Sequence, residues 1–339
     1  MTTTTPPTRT GTRRRRWGAS LALLGVGLVA ACGLQPATAY TPESAPGLIE
    51  EIPDLPEGAS ITVTGKNFTE QLILGKMVVI ALQAAGFTVT DLTNVPGSVP
   101  VRELMLSGEA DVTIEYTGTA WLTYLGQEEG IPDQQEQWEA VRDADAENGL
   151  TWLPPAPLNN TYAFAVRAEA VEELGGISTL SDITELPVED RTFCVEAEFN
   201  SRADGLGPML ETYGIPRGAS DGVPDDNIRI FDTGAVYTAT DRGTCNFGEV
   251  FTTDGRIDSL DLVVLEDDLG YFPAYNGAAV VSTETLETYP QLEEILTMLS
   301  DELTDERMRE LNLRVDEGGE MPADVAFDFM LELGLVTEP

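Results

Sequence analysis

The stretch from residue 61 to residue 86, ITVTGKNFTEQLILGKMVVIALQAAG, constrains the fold more than any other part of the chain. Its first four residues alternate between apolar and hydroxyl side chains, which predicts a short β-strand. After a turn at GKNF, apolar residues recur at helical spacing, which predicts a helix capped by the hydroxyl of Thr69. Lys66 then lies between a strand and a helix N-terminus, where an anionic group is favoured. An ordinary corner with an exposed lysine is the alternative.

The segments that follow continue this alternation of strands and helices. Strands are predicted at 87–92 and 110–116 with a helix at 99–106 between them, which favours a mostly parallel sheet covered by helices. After a proline-stiffened segment at 151–160, a second α/β series runs to about residue 265. The pattern predicts two α/β lobes joined by two crossings, with a cleft between them. Ligands bind beyond the carboxyl ends of the strands in such sheets.

The remaining elements are predicted from the same periodicities. Helices are expected at 134–148, 204–213, 235–242, 291–299, 305–313 and 322–333. Strands are expected at 161–166, 192–195 and 228–231, and DLVVLEDDLGYFP is predicted to be a strand that returns to the first lobe.

Five sequence blocks resemble, in the same order, those of the substrate-binding proteins of osmoprotectant ABC importers, the glycine betaine/choline family. The blocks are GKNFTEQ, EYTGTAW, LNNTYAFAV, EFNSRADG and VLEDDLGYFPAYNGAAVV, within a match that spans residues 60–339. The resemblance implies a type II periplasmic-binding-protein-like fold. Lobe I would contain residues 60–160 and 269–339, and lobe II would contain residues 161–268.

The resemblance also implies a function. The chain would be an extracytoplasmic receptor, not an enzyme, without a cofactor or a metal. It would capture glycine betaine or a related quaternary ammonium compound between its lobes and deliver it to an ABC permease. A choline- or carnitine-selective member of the family is one alternative. A secreted hydrolase and a purely structural envelope lipoprotein are alternatives of other classes.

The ligand-binding residues are implied by the same resemblance. The family surrounds the quaternary ammonium with aromatic rings, because their faces attract a cation that has no N–H to donate. The matching positions are Tyr116, Tyr162, Tyr275 and Phe251, the last of which is usually tyrosine in the family. The positions that match the family's carboxylate-binding residues are Lys66, Thr119 and Arg202. Polar pocket residues of some members match Gln71 and Asn160. Lobe packing is the alternative for each tyrosine, and a surface ion pair is the alternative for Arg202.

The N-terminus has the pattern of a secretory signal over residues 1–31. A run of arginines precedes an apolar stretch that is too short to span a membrane comfortably. The end of that stretch, VAAC, resembles a bacterial lipobox and predicts cleavage and lipidation at Cys32, with an ordinary signal and a chance cysteine as the alternative. Residues 32–59 contain five prolines and are predicted to be a flexible tether. The protein is therefore expected outside the cytoplasm, anchored by lipid to the cell membrane.

The charge of the chain limits its partners. Its formal net charge is −39, from 58 acidic and 19 basic residues, and five of the basic residues lie in the predicted signal. Such a surface excludes nucleic acid as a partner, and its self-repulsion favours a monomer. Lys66 and Lys76 are the only lysines. This acid-rich, lysine-poor composition indicates a salty habitat, in which osmoprotectant uptake is useful.

Several chemistries are excluded or weakened by the residues themselves. The chain contains no histidine, which removes Ser–His–Asp and Cys–His catalysis. The aspartic-protease tripeptide occurs once, in FDTG, where Asp232 or Thr233 is predicted to cap a helix. The loop SDGVPDDN is interpreted as an acidic turn, with calcium as the less favoured alternative. Cys194 and Cys245 are expected to form a disulfide outside the cytoplasm, and two unpaired buried thiols are the alternative.

Overall fold

Two five-stranded sheets, each covered by helices, form the two lobes in a computed structural model of the chain, which describes residues 40–131 and 133–339. This arrangement confirms the two-lobed α/β prediction. The predicted signal, the lipidation site Cys32 and the first residues of the predicted tether lie outside the described residues. The described residues all lie within one compact unit.

The first part of the chain builds a short N-terminal strand and most of the first lobe. Its strands are β1 (Ala45–Pro46), β2 (Ser60–Lys66), β3 (Thr88–Val95), β4 (Val112–Tyr116) and β5 (Leu150–Trp152). Its helices are α1 (Thr69–Ala84), α2 (Ser98–Leu106), α3 (Thr117–Thr119), which continues into a π-helical turn at Ala120–Tyr124, and α4 (Gln134–Asp145).

The middle part of the chain builds the second lobe. Its strands are β6 (Tyr162–Arg167), β7 (Phe193–Glu196), β8 (Ile228–Phe231), β9 (Phe247–Phe251) and β10 (Leu262–Val264). Its helices are α5 (Ala168–Glu173), α6 (Ala197–Ser201), α7 (Leu206–Thr212), α8 (Thr233–Asp241) and α9 (Arg256–Ser259).

The last part of the chain returns to the first lobe. It contains β11 (Gly277–Ser282), α10 (Thr283–Thr288), α11 (Gln291–Ser300), α12 (Asp305–Asp316), α13 (Pro322–Glu332) and β12 (Val336–Thr337). The prediction that DLVVLEDDLGYFP forms a strand returning to the first lobe is wrong. Only β10 forms in this segment, and it pairs with β6 of the second lobe. The strand that returns to the first lobe is β11, which the sequence did not predict.

Both sheets are mixed, whereas mostly parallel sheets were expected. In the first lobe the order is β3-β2-β4-β11-β5, with β2 parallel to β3 and β4, and β11 antiparallel to β4 and β5. In the second lobe the order is β10-β6-β9-β7-β8, with β7 parallel to β8 and β9, and β6 antiparallel to β9 and β10. In each sheet, the strand that the chain enters after crossing from the other lobe pairs antiparallel with its neighbours. This strand is β11 in the first lobe and β6 in the second.

Helix α1 is buried on nearly every side. Its residues Ile73, Met77 and Ile80 are fully buried in the core of the first lobe, together with apolar residues of α11, α12 and α13. The predicted cap by Thr69 is wrong, because the N-cap position is Phe68 and no side chain caps the helix. The Thr69 hydroxyl instead donates a hydrogen bond to Asp316 on α12 at 2.6 Å, which fastens the two helices together.

The predicted tether does not extend as far as residue 59. Strand β1 pairs antiparallel with β12 at the C-terminus, and the amide of Ile49 donates to the carbonyl of Leu335 at 2.9 Å. The side chains of Ile49 and Ile52 are buried in the core of the first lobe. Apolar residues between the prolines therefore bind this segment to the lobe, because burial of their side chains outweighs the loss of chain freedom.

Two acidic motifs have structural environments of their own. Helix α8 begins at Thr233, two residues before the predicted start at 235, and Asp232 takes the N-cap position without a side-chain capping hydrogen bond. In the SDGVPDDN loop, Asp225 forms an ion pair with Arg217 at 2.7 Å. Within the described ranges, no group of cysteine and carboxylate side chains is arranged to hold a metal ion, and no helix combines the length and hydropathy needed to cross a bilayer.

Cys194 of β7 and Cys245 are joined by a disulfide, and both are buried with Val236 and Ala239 of α8. The bond closes a loop with a sequence separation of 51 residues. It joins the strand below one wall of the cleft to the turn that leads into β9.

We expect the double variant Cys194→Ala/Cys245→Ala to lose about 4 kcal/mol in its free energy of unfolding, because the unfolded chain regains the freedom that the closed loop removed. Denaturant unfolding of residues 36–339 measures the difference, and reduced wild-type protein is the control. A variant as stable as the oxidised wild type would contradict a stabilising role for the bond.

Candidate functional site

A cavity of about 410 Å³ lies between the lobes, where strands of both sheets end. The first lobe contributes residues at or just beyond the ends of β2, β3 and β4, and the second contributes residues at or just beyond the ends of β7, β8 and β9. The lining residues are Lys66, Asn67, Phe68, Gly97, Ser98, Tyr116, Thr119, Asn160, Tyr162, Glu196, Ala197, Glu198, Phe231, Asp232, Thr233, Gly234, Phe251 and Tyr275. The cavity therefore occupies the place that the strand order favours for a ligand.

Seven of the nine predicted ligand-binding residues line this cavity. They are Lys66, Tyr116, Thr119, Asn160, Tyr162, Phe251 and Tyr275. The other two, Gln71 and Arg202, are buried behind its wall and contact residues that line it.

Five aromatic rings form a continuous arc in the cavity wall. Successive ring centroids are 6.3 Å apart from Tyr116 to Phe68, 5.4 Å from Phe68 to Phe251, 5.3 Å from Phe251 to Tyr162, and 5.3 Å from Tyr162 to Tyr275. We call these five rings the aromatic arc. Their π-faces attract a cation and need no hydrogen-bond donor from it.

Phe68 is the member of the aromatic arc that sequence reasoning missed. It follows Lys66 and Asn67 at the end of β2, so its place in the GKNF turn beyond a strand end was the available signal. Phe231, which also lines the cavity, was missed although it ends β8 in the same way.

The hydroxyl of Tyr116 is held from behind by two neighbours on α1. It donates to Oε1 of Glu70 at 2.7 Å and accepts from Nε2 of Gln71 at 3.2 Å. Gln71 is itself fixed by the backbone, since its amide donates to the carbonyl of Ile114 and accepts from the N–H of Lys66, both at 3.1 Å. Gln71 therefore orients a ring of the arc.

The charge of Lys66 is balanced inside the first lobe. Its ammonium lies 2.6 Å from Oε1 of Glu115 and 4.9 Å from the centroid of Tyr116. The Tyr124 hydroxyl donates to the other oxygen of Glu115 at 2.6 Å. Lys66 thus faces the cavity from within a buried network that fixes its side chain.

Arg202 braces the arc from the second lobe. Its guanidinium donates two hydrogen bonds to Asp204, at 2.7 and 2.6 Å, and lies 5.4 Å from the centroid of Tyr162. Asp204 also accepts a hydrogen bond from the hydroxyl of Tyr275. In this arrangement Arg202 positions two rings of the arc and does not itself line the cavity.

A hydrogen-bonded bridge joins the lobes across the cavity. The amide and the hydroxyl of Ser98, at the N-terminus of α2, both donate to the carboxylate of Glu198, the amide at 3.1 Å. Burial opposes ionisation of Glu198, but the nearby charge of Lys66 and the Ser98 hydroxyl outweigh it and lower the pKa of the carboxyl group. The negative charge is therefore well placed at the positive end of a helix.

Acidic side chains form the second-lobe wall of the cavity, which the sequence analysis did not foresee. Glu196, Glu198 and Asp232 line it, and each lies at or just beyond the end of a strand. Glu249 lies behind this wall and accepts the amide of Glu196 at 2.8 Å. Burial raises the pKa of Glu196, and burial together with the charge of Glu196 raises the pKa of Glu249 well above its ordinary value.

The pKa of Glu249 makes stability depend on pH. Because it is raised above 4.5, the folded protein keeps this proton at pH values where the unfolded chain has released it. The contribution to stability is therefore complete below the unfolded pKa and is lost as the pH rises through the folded pKa.

We expect Glu249→Gln to remove this loss, so that the variant becomes more stable than the wild type as the pH rises from about 4 to about 8. Urea unfolding across that range measures the difference in free energy between the two proteins. If the unfolding free energies of the two proteins change with pH in parallel, the carboxyl group of Glu249 does not have a raised pKa in the folded state.

Comparison with known proteins extends over both lobes. The family described as the substrate-binding domain of the ABC-type glycine betaine transport system matches residues 59–332. The chain is similar to a glycine-betaine-binding protein of Pseudomonas aeruginosa, with 37% identity over 292 residues that cover 84% of this chain and 91% of that protein. It is also similar to a carnitine transport binding protein of Listeria monocytogenes, with 28% identity over 249 residues that cover 72% and 77% of the two chains.

The fold has close counterparts among solved structures. A crystal structure of a glycine betaine/carnitine/choline ABC transporter chain superposes with a TM-score of 0.64 at 25% identity. The alignment covers 80% of this chain and 98% of that chain. Both lobes therefore take part in the similarity.

Proposed function

Since the chain belongs to the family of substrate-binding domains of ABC-type glycine betaine transport systems, we propose that it captures glycine betaine or a closely related quaternary ammonium compound. The observation that carries this proposal is the aromatic arc in the cavity between the lobes. A quaternary ammonium offers no N–H group, so ring faces are the surface that can hold it. Water is a poorer competitor there than at a site of hydrogen-bonding groups.

The strength of such contacts fits a binding protein. Each aromatic contact with a cation contributes about 0.5–2 kcal/mol, and each hydrogen bond to a charged group contributes about 1.5–3 kcal/mol. A few contacts of each kind together contribute more than the binding free energy of roughly 8 kcal/mol that corresponds to micromolar affinity. The excess is offset by ordering and desolvation. The ring of Phe251 supplies a π-face without a hydroxyl, so it contributes to the first kind of contact only.

The carboxylate of a betaine would lie near Lys66 and Thr119. Among the described residues that line the cavity, Lys66 is the one with a cationic side chain. Thr119 and Asn160 offer polar groups at the same cavity. We assign Arg202 and Gln71 to the support of the ring positions, because both hold hydroxyls or rings of the arc from behind.

Delivery of the ligand would use the two lobes and the N-terminal segment. Closure of the lobes, with the bridge from Ser98 to Glu198, excludes water and strengthens the charged contacts inside. We propose that the protein works outside the cytoplasm as a monomer, anchored through a lipid on Cys32, and passes its ligand to a membrane permease. Catalysis forms no part of this role.

A cationic ligand such as choline is a second candidate. Three acidic residues line the second-lobe wall, one of which, Glu198, lies 3.3 Å from the guanidinium of Arg202, and the charge of Lys66 is balanced by Glu115. A cavity with this excess of negative charge favours a ligand of net positive charge over a zwitterion. The similarity to a carnitine-binding relative is compatible with a further ligand of this class.

We expect the protein comprising residues 36–339 to bind glycine betaine with micromolar affinity in calorimetric titration at high salt. Tyr162→Leu should weaken binding about tenfold or more, because the arc loses a ring that contacts two others. Tyr289→Leu is the matched control. That ring packs on Phe87 in the first lobe, far from the arc, so binding should be unchanged.

The outcomes separate the candidates. Binding of choline without glycine betaine would keep the arc and remove the carboxylate-binding roles of Lys66 and Thr119. If folded protein binds neither compound, the assignment to quaternary ammonium ligands fails.

A further inference from the structure

We propose that Glu70 determines the charge specificity of the cavity. Its buried carboxylate, one side chain behind the aromatic arc, makes the arc select a cationic head group over an uncharged group of the same shape. This inference rests on the proposed function, which concerns the rings themselves. It adds a residue that does not line the cavity and that would act on the ligand through its charge.

Glu70 is 2% exposed and receives four hydrogen bonds. Oε1 accepts from the hydroxyl of Tyr116 at 2.7 Å and from Nδ2 of Asn160 at 2.8 Å. Oε2 accepts from the hydroxyl of Thr253 at 2.6 Å and from Nδ2 of Asn312 at 3.4 Å. These donors come from β4, the first crossing, the turn after β9 and α12, so one carboxylate contacts both lobes and the crossing between them.

The direction of the bond from Tyr116 is fixed by its neighbours. Gln71 uses its amide oxygen for the N–H of Lys66 and its amide nitrogen for the carbonyl of Ile114. Its nitrogen is therefore a donor towards Tyr116, which leaves the phenol proton for Glu70. Oε1 of Glu70 is therefore an acceptor, as both oxygens are in an ionised carboxylate.

Two buried carboxylates near the cavity are paired with cations, whereas Glu70 receives uncharged donors. Lys66 balances Glu115, and Arg202 balances Asp204. Burial raises the pKa of Glu70, which is the expected result for an acid whose charge is taken from water without a cation beside it. A cation bound in the cavity would supply part of the missing compensation.

The path from Glu70 to the ligand is short. Tyr116 and Asn160, which both donate to Oε1, are also lining residues of the cavity. The carboxylate is thus separated from the cavity by a single layer of side chains. Charges at such a distance still interact appreciably, because little water lies between them to screen the field. The nearby Arg256 does not cancel this field, since it pairs with Asp254 and Asp316.

The test compares two ligands of one shape. Glycine betaine is matched by tert-butylacetate, in which carbon replaces the quaternary nitrogen. The affinity of each ligand for residues 36–339 is measured by competition or direct titration. We expect Glu70→Gln to weaken glycine betaine about tenfold while the carbon analogue binds equally well or better. Tyr289→Leu keeps the carboxylate and all four of its donors, so it should leave the ratio of the two affinities unchanged.

If Glu70→Gln does not fold, a second variant can neutralise the charge of Glu70 instead. Asn312→Lys places an ammonium beside Glu70 and away from the cavity lining, so we expect it to reduce the same ratio. If either folded variant weakens both ligands by one factor, Glu70 has a packing role and the inference is overturned. A ratio altered equally by Tyr289→Leu would also overturn it. Wild-type protein that binds glycine betaine no better than the carbon analogue would refute both this inference and the proposed role of the arc.

Discussion

The cleft depends on carboxylates that are buried with their hydrogen-bonding partners in place. In a chain with 58 acidic and 19 basic residues, not every buried acid forms a salt bridge. Near the cavity, Lys66 forms an ion pair with Glu115, and Arg202 forms an ion pair with Asp204. Glu70 is satisfied differently, by four uncharged donors from the elements that meet behind the cavity. A buried carboxylate without such partners would cost several kcal/mol, so these contacts also determine how the elements fit together.

The aromatic arc is positioned by these polar networks before any ligand arrives. The Tyr116 hydroxyl is held by Glu70, and the Tyr275 hydroxyl is held by Asp204. The backbone N–H of Phe251 donates to the hydroxyl of Tyr237 at 2.9 Å, which fixes the strand beneath that ring. Rings that are already oriented lose little conformational entropy on binding, so more of the contact energy remains as affinity.

Much of the architecture followed from the sequence, because periodicity and strand ends are local signals. The α/β alternation predicted two lobes and placed Lys66 and Tyr116 at strand ends, and the family resemblance is confirmed by the match over residues 59–332. The aromatic positions came from that resemblance and not from periodicity, since a tyrosine at a strand end is equally consistent with core packing. Their convergence in one arc is a property of the three-dimensional structure.

The errors of the sequence analysis share a cause, which is that tertiary contacts override local patterns. Thr69 has the composition of a helix cap but donates to Asp316, which is 247 residues away in the chain. Prolines between residues 40 and 59 indicated a tether, yet Ile49 is buried against the C-terminal segment. The acidic wall of Glu196 and Asp232 was not foreseen, because separate acidic residues in an acidic chain carry no signal until the fold brings them to one cavity.

A crystal structure of residues 36–339 grown with glycine betaine would locate the ligand directly. We expect the quaternary ammonium to lie within about 6 Å of the centroids of several rings of the aromatic arc. We also expect the ligand carboxylate to lie on the Lys66 side of the cavity. A ligand bound elsewhere, or an ammonium group that contacts the acidic wall without contacting the rings, would contradict the central claim that the arc forms the binding site.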